Sequence, residues 1–147
     1  MEPQRNGHGG DTLSLRLPNE MSSVEDSRIA VSEFLQPRGI ATHAMNRVEV
    51  ILEELISNLV RHGRDVRSVN VQAGYHEGSI DLVVEDDGSE FDPFGVAEPK
   101  PFTTLADAPL GGLGIPLIRK LSTFTSYERV GSGHEARNRV RVLIANA

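Results

Sequence analysis

The chain has 147 residues, a formal net charge of −6 and no cysteine. That length suits one domain with its own core, the acidic balance argues against a nucleic-acid partner, and the missing thiols exclude disulfides and thiolate metal sites. No histidine pair has zinc-ligand helical spacing, no apolar run approaches the ~20 residues of a membrane span, and no signal-peptide core is present, so the expectation is a cytoplasmic protein with no membrane partner.

Met1 to Gly10 is polar and glycine-rich and reads as a disordered tail, with a single domain from residue 11 to 147. Thr12 to Leu17 alternates, with Leu13, Leu15 and Leu17 on one side, as a strand does. Pro18 and Asn19 break it. Ser22 with Glu25 three residues later resembles a capping box, and the helix that follows is predicted to run to about Gln36, ended by Pro37 and Gly39. Thr42 is the expected cap of a longer helix that reaches His62, with Gly63 as its stop. Val48, Ile51, Leu52, Leu55, Ile56, Leu59 and Val60 give that helix a wide apolar stripe.

Two alternating runs follow. Val69, Val71, Ala73 and Tyr75 share one parity, His76-Glu77-Gly78 turns the chain, and Ile80, Leu82 and Val84 repeat the pattern, which predicts a hairpin. Gly88 to Gly112 contains Pro93, Pro99, Pro101 and Pro109 and little periodicity; a loop of this length is usually functional or disordered, and a lid over residues 89–111 is expected. Ile115, Ile118 and Leu121 mark a short helix. Phe124 to Val130 and Asn138 to Ile144 then form a last hairpin, with Val140, Val142 and Ile144 facing in. Arg137, Arg139 and Arg141 alternate with these and read as a solvated face. The predicted fold class is α+β, a two-layer sandwich with helices on one face of a largely antiparallel sheet.

Three segments carry chemistry. Glu54, Asn58 and His62, at i, i+4 and i+8, form one row beside the apolar stripe, while Glu53 lies across the helix. The amide oxygen of Asn58 suits Mg²⁺, a hard cation that prefers oxygen donors, and a carboxylate one turn away can accept a proton from an attacking hydroxyl. Taken alone, the row is also what an ordinary polar helix flank looks like. Asp86 shares the inward parity of Ile80, Leu82 and Val84, so its carboxylate needs a donor; an adenine amine would supply one, and Gly88 would let the base approach the backbone. Asp-Asp-Gly alone equally reads as a plain turn. Gly111, Gly112 and Gly114 precede the short helix, where backbone N–H groups can hold phosphate. The segment is neither a P-loop nor a dinucleotide fingerprint, because no Gly-Lys-Ser/Thr follows and Leu117 stands at the third glycine position.

In this order the segments resemble the GHKL superfamily of histidine kinase-like, Bergerat-fold ATPases, and most closely its anti-sigma-factor serine/threonine kinase branch. Glu54 to Gly63 is similar to the N box with its trailing His-Gly, Val84 to Pro93 to the first Gly box with its Phe-Asp-Pro tail, and Gly111 to Ile115 to the second. Asn138-Arg139-Val140 resembles the start of the branch's final strand. Glu90 departs from the pattern, standing where a second glycine is common. The resemblance implies that Asn58 holds Mg²⁺, that Glu54 is the catalytic base, and that Asp86 binds adenine. It adds His62, Gly88, Phe91, Gly111, Gly112, Leu113, Gly114 and Ile115 to the ATP-binding set. It further implies transfer of the ATP γ-phosphoryl to a serine or threonine of a STAS-type anti-anti-sigma protein, in a kinase that can also silence a sigma factor, often as a homodimer. The alternative is a non-catalytic, nucleotide-binding anti-sigma factor that sequesters a regulatory partner.

Overall fold

The computed structural model describes residues 4–5, 12–95 and 114–147. Its elements are β1 (Gln4–Arg5), β2 (Thr12–Pro18), α1 (Ser22–Leu35), α2 (Thr42–His62), β3 (Ser68–His76), β4 (Ser79–Asp86), α3 (Gly114–Leu121), β5 (Phe124–Val130) and β6 (Arg137–Ala145). The strands form one sheet in the order β1-β2-β3-β4-β6-β5, antiparallel at every pairing. The α+β expectation therefore holds. The two-residue β1 lies within the segment read as a tail, pairing Gln4 with Arg16 and Arg5 with Leu15. The lid expected over 89–111 falls outside the described residues from position 96 onward.

Alternation decides which face of the sheet is covered. Leu13, Leu15 and Leu17 of β2, Val69, Val71 and Ala73 of β3, Ile80, Leu82 and Val84 of β4, and Val140, Val142 and Ile144 of β6 are buried and meet the helices. The α2 stripe answers them with Val48, Ile51, Leu52, Leu55, Ile56 and Leu59, while Val60 is only half-buried at its margin. The opposite sheet face is wet, as half-polar antiparallel sheets allow. There Arg141 grips Asp81 through Nε (3.0 Å) and Nη2 (2.7 Å), and Arg139 pairs with Glu85 at 3.3 Å. The β3–β4 turn has Glu77 at φ 50° and Gly78 at φ 79°, the double left-handed geometry that matches strand twist.

The helix ends depart from expectation. Ser22 is the first helical residue, not the cap, and Glu25 pairs with Arg28 instead of reaching back. At α2 the cap position is Ala41, one residue before Thr42, and its methyl group makes no capping hydrogen bond. Asn146, just beyond β6, accepts the Ala41 N–H at 2.7 Å in its place. Gly63 ends α2 in an extended conformation, not a left-handed one. A side chain there would meet the Leu59 carbonyl oxygen at 2.6 Å and Val66 Cγ2 at 2.8 Å, so close approach selects glycine. No helix among the described residues is long and apolar enough to cross a membrane.

Candidate nucleotide-binding site

The amphipathic α2 lies on the sheet with its apolar stripe down, which leaves the flanking row of polar residues at the rim of the helical layer. Beneath that rim is a cleft lined by Leu55, Asn58 and Leu59 of α2, Val84 and Asp86 of β4, Val140 of β6, and Phe91 and Pro93 of the segment after β4. The structure thus brings Asn58 together with Asp86 and Phe91, although the whole of β3 separates the two segments in the chain.

Glu54, half-buried, lies one turn before Asn58. Its side chain packs on Gly114, the first residue of α3: a Cβ added to Gly114 would overlap Glu54 Oε2. Glycine is needed here for contact with a carboxylate, and the start of α3 is thereby brought to the N-box row. Ile115, the next residue, packs partly buried against the core. His62 is exposed at the end of α2 and does not line the cleft. Gly111, Gly112 and Leu113 lie outside the described residues.

Asp86 is 4% exposed at the inward end of β4. Its Oδ1 accepts from the Gly88 N–H and from Asn138 Nδ2, both at 2.9 Å. Burial pushes its carboxyl above the ordinary aspartate value, against the pull of the Asn138 and Gly88 donors. Asp87 points the other way, accepting from the backbone N–H groups of Arg67 (2.8 Å) and Ser68 (3.1 Å). Burial raises its carboxyl too, but the Ser68 and Arg67 donors outweigh that and hold it below the ordinary value.

Gly88 has a different physical reason from the one read in sequence. Its open side faces the protein: a Cβ would meet the Arg64 carbonyl oxygen and Val66 Cγ2, both at 2.5 Å. The Ser89 N–H donates to that same carbonyl at 2.9 Å, so the glycine lets the turn after β4 lie on the loop after α2.

Sequence reasoning gave no role to Asn138, which is 1% exposed and stands directly opposite Asp86 across the β4–β6 pairing. The signal was present. Asn138 has the inward parity of Val140, Val142 and Ile144, so it is a polar residue on an apolar face, as Asp86 is.

Among the described residues no group of three or more histidine, aspartate and glutamate side chains could hold a metal. Asn58 does offer a hard oxygen donor at the cleft. Such a donor suits a cation such as Mg²⁺, which keeps waters and takes further oxygens from substrate phosphates.

Residues 17–143 match the family model of the histidine kinase-like ATPase domain, and the chain belongs to that family. It is 29% identical over 118 residues to a serine-protein kinase RsbW of Listeria monocytogenes serotype 4a (strain HCC23), covering 76% of this chain and 75% of that protein. It is 22% identical over 122 residues to the serine-protein kinase RsbW of Bacillus thuringiensis (strain Al Hakam), covering 76% and 73%. The crystal structure of the RsbU and RsbW domains of Rv1364c from Mycobacterium tuberculosis superposes with a TM-score of 0.61 at 14% identity, over 91% of this chain and 32% of that one. This last likeness is one of fold.

Proposed function

We propose that this chain is an ATP-dependent serine/threonine protein kinase and anti-sigma regulatory factor. It phosphorylates a STAS-type anti-anti-sigma protein in the cytoplasm and, when that partner is phosphorylated, holds a sigma factor. The observation that carries this reading is a cleft lined by both Asn58 and Asp86, with Glu54 one helical turn from Asn58 and the start of α3 seated on it. The relatives named serine-protein kinase give the direction of the chemistry.

Each residue has a task in that reaction. Asp86 accepts the exocyclic amine of adenine, and Phe91 and Val140 cover the apolar faces of the base. Asn58 would hold Mg²⁺ through its carbonyl oxygen; the ion, when bound, neutralises charge on the phosphates. Glu54 accepts the proton of the partner's hydroxyl as that oxygen attacks the γ-phosphorus and the bond to the bridging β-oxygen breaks, releasing ADP. Glu54 lies one turn from Asn58 on the same face, so base and phosphate-anchoring group are mounted on one rigid element.

The test mixes the purified chain with Mg-ATP and its STAS-type partner and follows phosphate transfer by intact mass. Phosphoprotein is expected, and Glu54→Gln should abolish it while ADP still binds. ADP binding with no transfer to a verified partner would overturn the kinase assignment and leave a nucleotide-dependent binding protein.

A further inference from the structure

Asn138 joins the inward aspartate to the turn that leaves β4. Its Nδ2 donates to Asp86 Oδ1 (2.9 Å) and to the Ser89 carbonyl (2.8 Å). Its Oδ1 accepts from the Tyr127 hydroxyl (2.7 Å), Arg129 Nη1 (3.0 Å) and the Phe91 N–H (3.2 Å). Both amide hydrogens meet pure acceptors and the oxygen meets only donors, so the network admits one orientation of the amide. Tyr127 stays a donor, because burial and then the charge of Glu90 push its phenol above the ordinary value. Arg129 Nη1 also donates to the Gly88 carbonyl at 2.9 Å. One side chain of β6, held by two from β5, therefore fixes Asp86 together with the backbone of residues 88, 89 and 91.

The consequence falls on the two oxygens of Asp86. Oδ1 is consumed by Asn138 and the Gly88 N–H, while Oδ2 accepts no hydrogen bond among the described residues. A carboxylate held this way presents one acceptor of fixed direction to the cleft that it lines.

We propose that Asn138, clamped by Tyr127 and Arg129, is the positioning residue that sets base selectivity: it turns Asp86 so that one oxygen faces a purine bearing an exocyclic amine. This rests on the reading of Asp86 as the adenine acceptor. A base with a carbonyl at the same position sets acceptor against acceptor and is refused. A site built to hydrogen-bond a group discriminates strongly against an analogue that lacks it. An aspartate freed to turn keeps its charge but loses that alignment.

The experiment titrates ADP and inosine diphosphate, in which a carbonyl replaces the exocyclic amine and the neighbouring N1 carries a proton, by calorimetry into the full chain and the variants Asn138→Ala, Arg129→Met and Tyr127→Phe, with an unfolding curve for each. The wild type should favour ADP by about tenfold or more. In Asn138→Ala that ratio should fall to about threefold or less, because ADP loses more than the inosine nucleotide. Arg129→Met and Tyr127→Phe loosen the clamp and keep the amide, so they should lower the ratio by roughly two- to fivefold with cooperative unfolding retained. If Asn138→Ala does not fold, these two variants decide. Equal weakening of both nucleotides, with the ratio intact, overturns the positioning role and leaves a structural one. A wild type indifferent to the two bases overturns the adenine reading of Asp86 and this inference with it.

Discussion

Two glycines show how a missing side chain can serve opposite ends. At Gly114 the space of a Cβ is taken by the tip of Glu54, a flexible group that can move. Gly114→Ala should therefore leave the fold intact and displace the proposed base. The expected result is a fall of about tenfold or more in phosphate transfer that exceeds any loss of ADP affinity, since small misplacements of a reacting group cost orders of magnitude. Single-turnover assays beside ADP titrations check this, and a loss confined to ADP affinity would contradict it. At Gly88 the neighbours are the Arg64 carbonyl and Val66, with Asp86 Oδ1 at 3.1 Å from the added carbon. Backbone cannot swing aside, so Gly88→Ala should cost about 1–3 kcal/mol by overpacking, read in urea unfolding. The need for glycine was legible in Asp-Asp-Gly, but its cause was not, because the crowding atoms come from the loop after α2. Asn138 was equally hidden: an inward polar residue announces a partner, yet its parity does not name Asp86, Tyr127 or Arg129.

Helices and strands were legible because their periods are local, and the boundaries of α2 and β2 to β4 follow the apolar spacing closely. Caps were not, because contacts far along the chain decide them. The N-terminus of α2 is fastened from the other end of the protein. Asn146 Oδ1 accepts from the Ala41 N–H, and its Nδ2 donates to the Gly39 carbonyl (3.2 Å) and to the Tyr75 hydroxyl (3.0 Å). Arg47 Nη2 adds a bond to the Ala145 carbonyl at 2.9 Å. This tether joins β3, the extension of β6 and the helix that carries Glu54 and Asn58. Asn146→Ala removes three of its bonds at a partly buried site, and a loss of about 1–2 kcal/mol is expected. That corresponds to a Tm lower by roughly 2–8 °C for a chain of this size. A melting curve unchanged within 1 °C (about 0.3 kcal/mol on the same scale) would show that the tether contributes nothing to stability.

Across the whole molecule, the sequence pattern yielded two layers but not the strand order. The last hairpin was evident; that β6 inserts between β4 and β5, which puts Asn138 opposite Asp86, was not. That placement couples global stability to the site. Burial raises the Asp86 carboxyl above its ordinary value, so the charged form opposes folding above that raised pKa. The opposition is relieved as pH falls through the raised pKa, because the native state then takes up the proton first. Asp87 runs in the reverse sense: its carboxyl is held low, and its contribution is lost only as pH falls through that lowered pKa. Asp86→Asn keeps an oxygen to accept from Gly88 and Asn138 and removes the buried charge. Without nucleotide it should therefore be more stable than wild type at neutral pH, by on the order of 1 kcal/mol, as functional sites that sacrifice stability commonly show. That gap should close on acidification, since Asp87 is common to both proteins and cancels. Saturation with ADP should reverse the order. At a hundred times its Kd, ADP stabilises wild type by about 2.7 kcal/mol. If the substitution weakens binding by about 2 kcal/mol, the same concentration gives the variant only about 0.9 kcal/mol. Melting curves at neutral pH, with and without Mg-ADP, should therefore cross: the variant higher alone, the wild type higher with nucleotide. A variant that is less stable alone, or that keeps the full nucleotide shift, would break the link between the buried charge of Asp86 and the base.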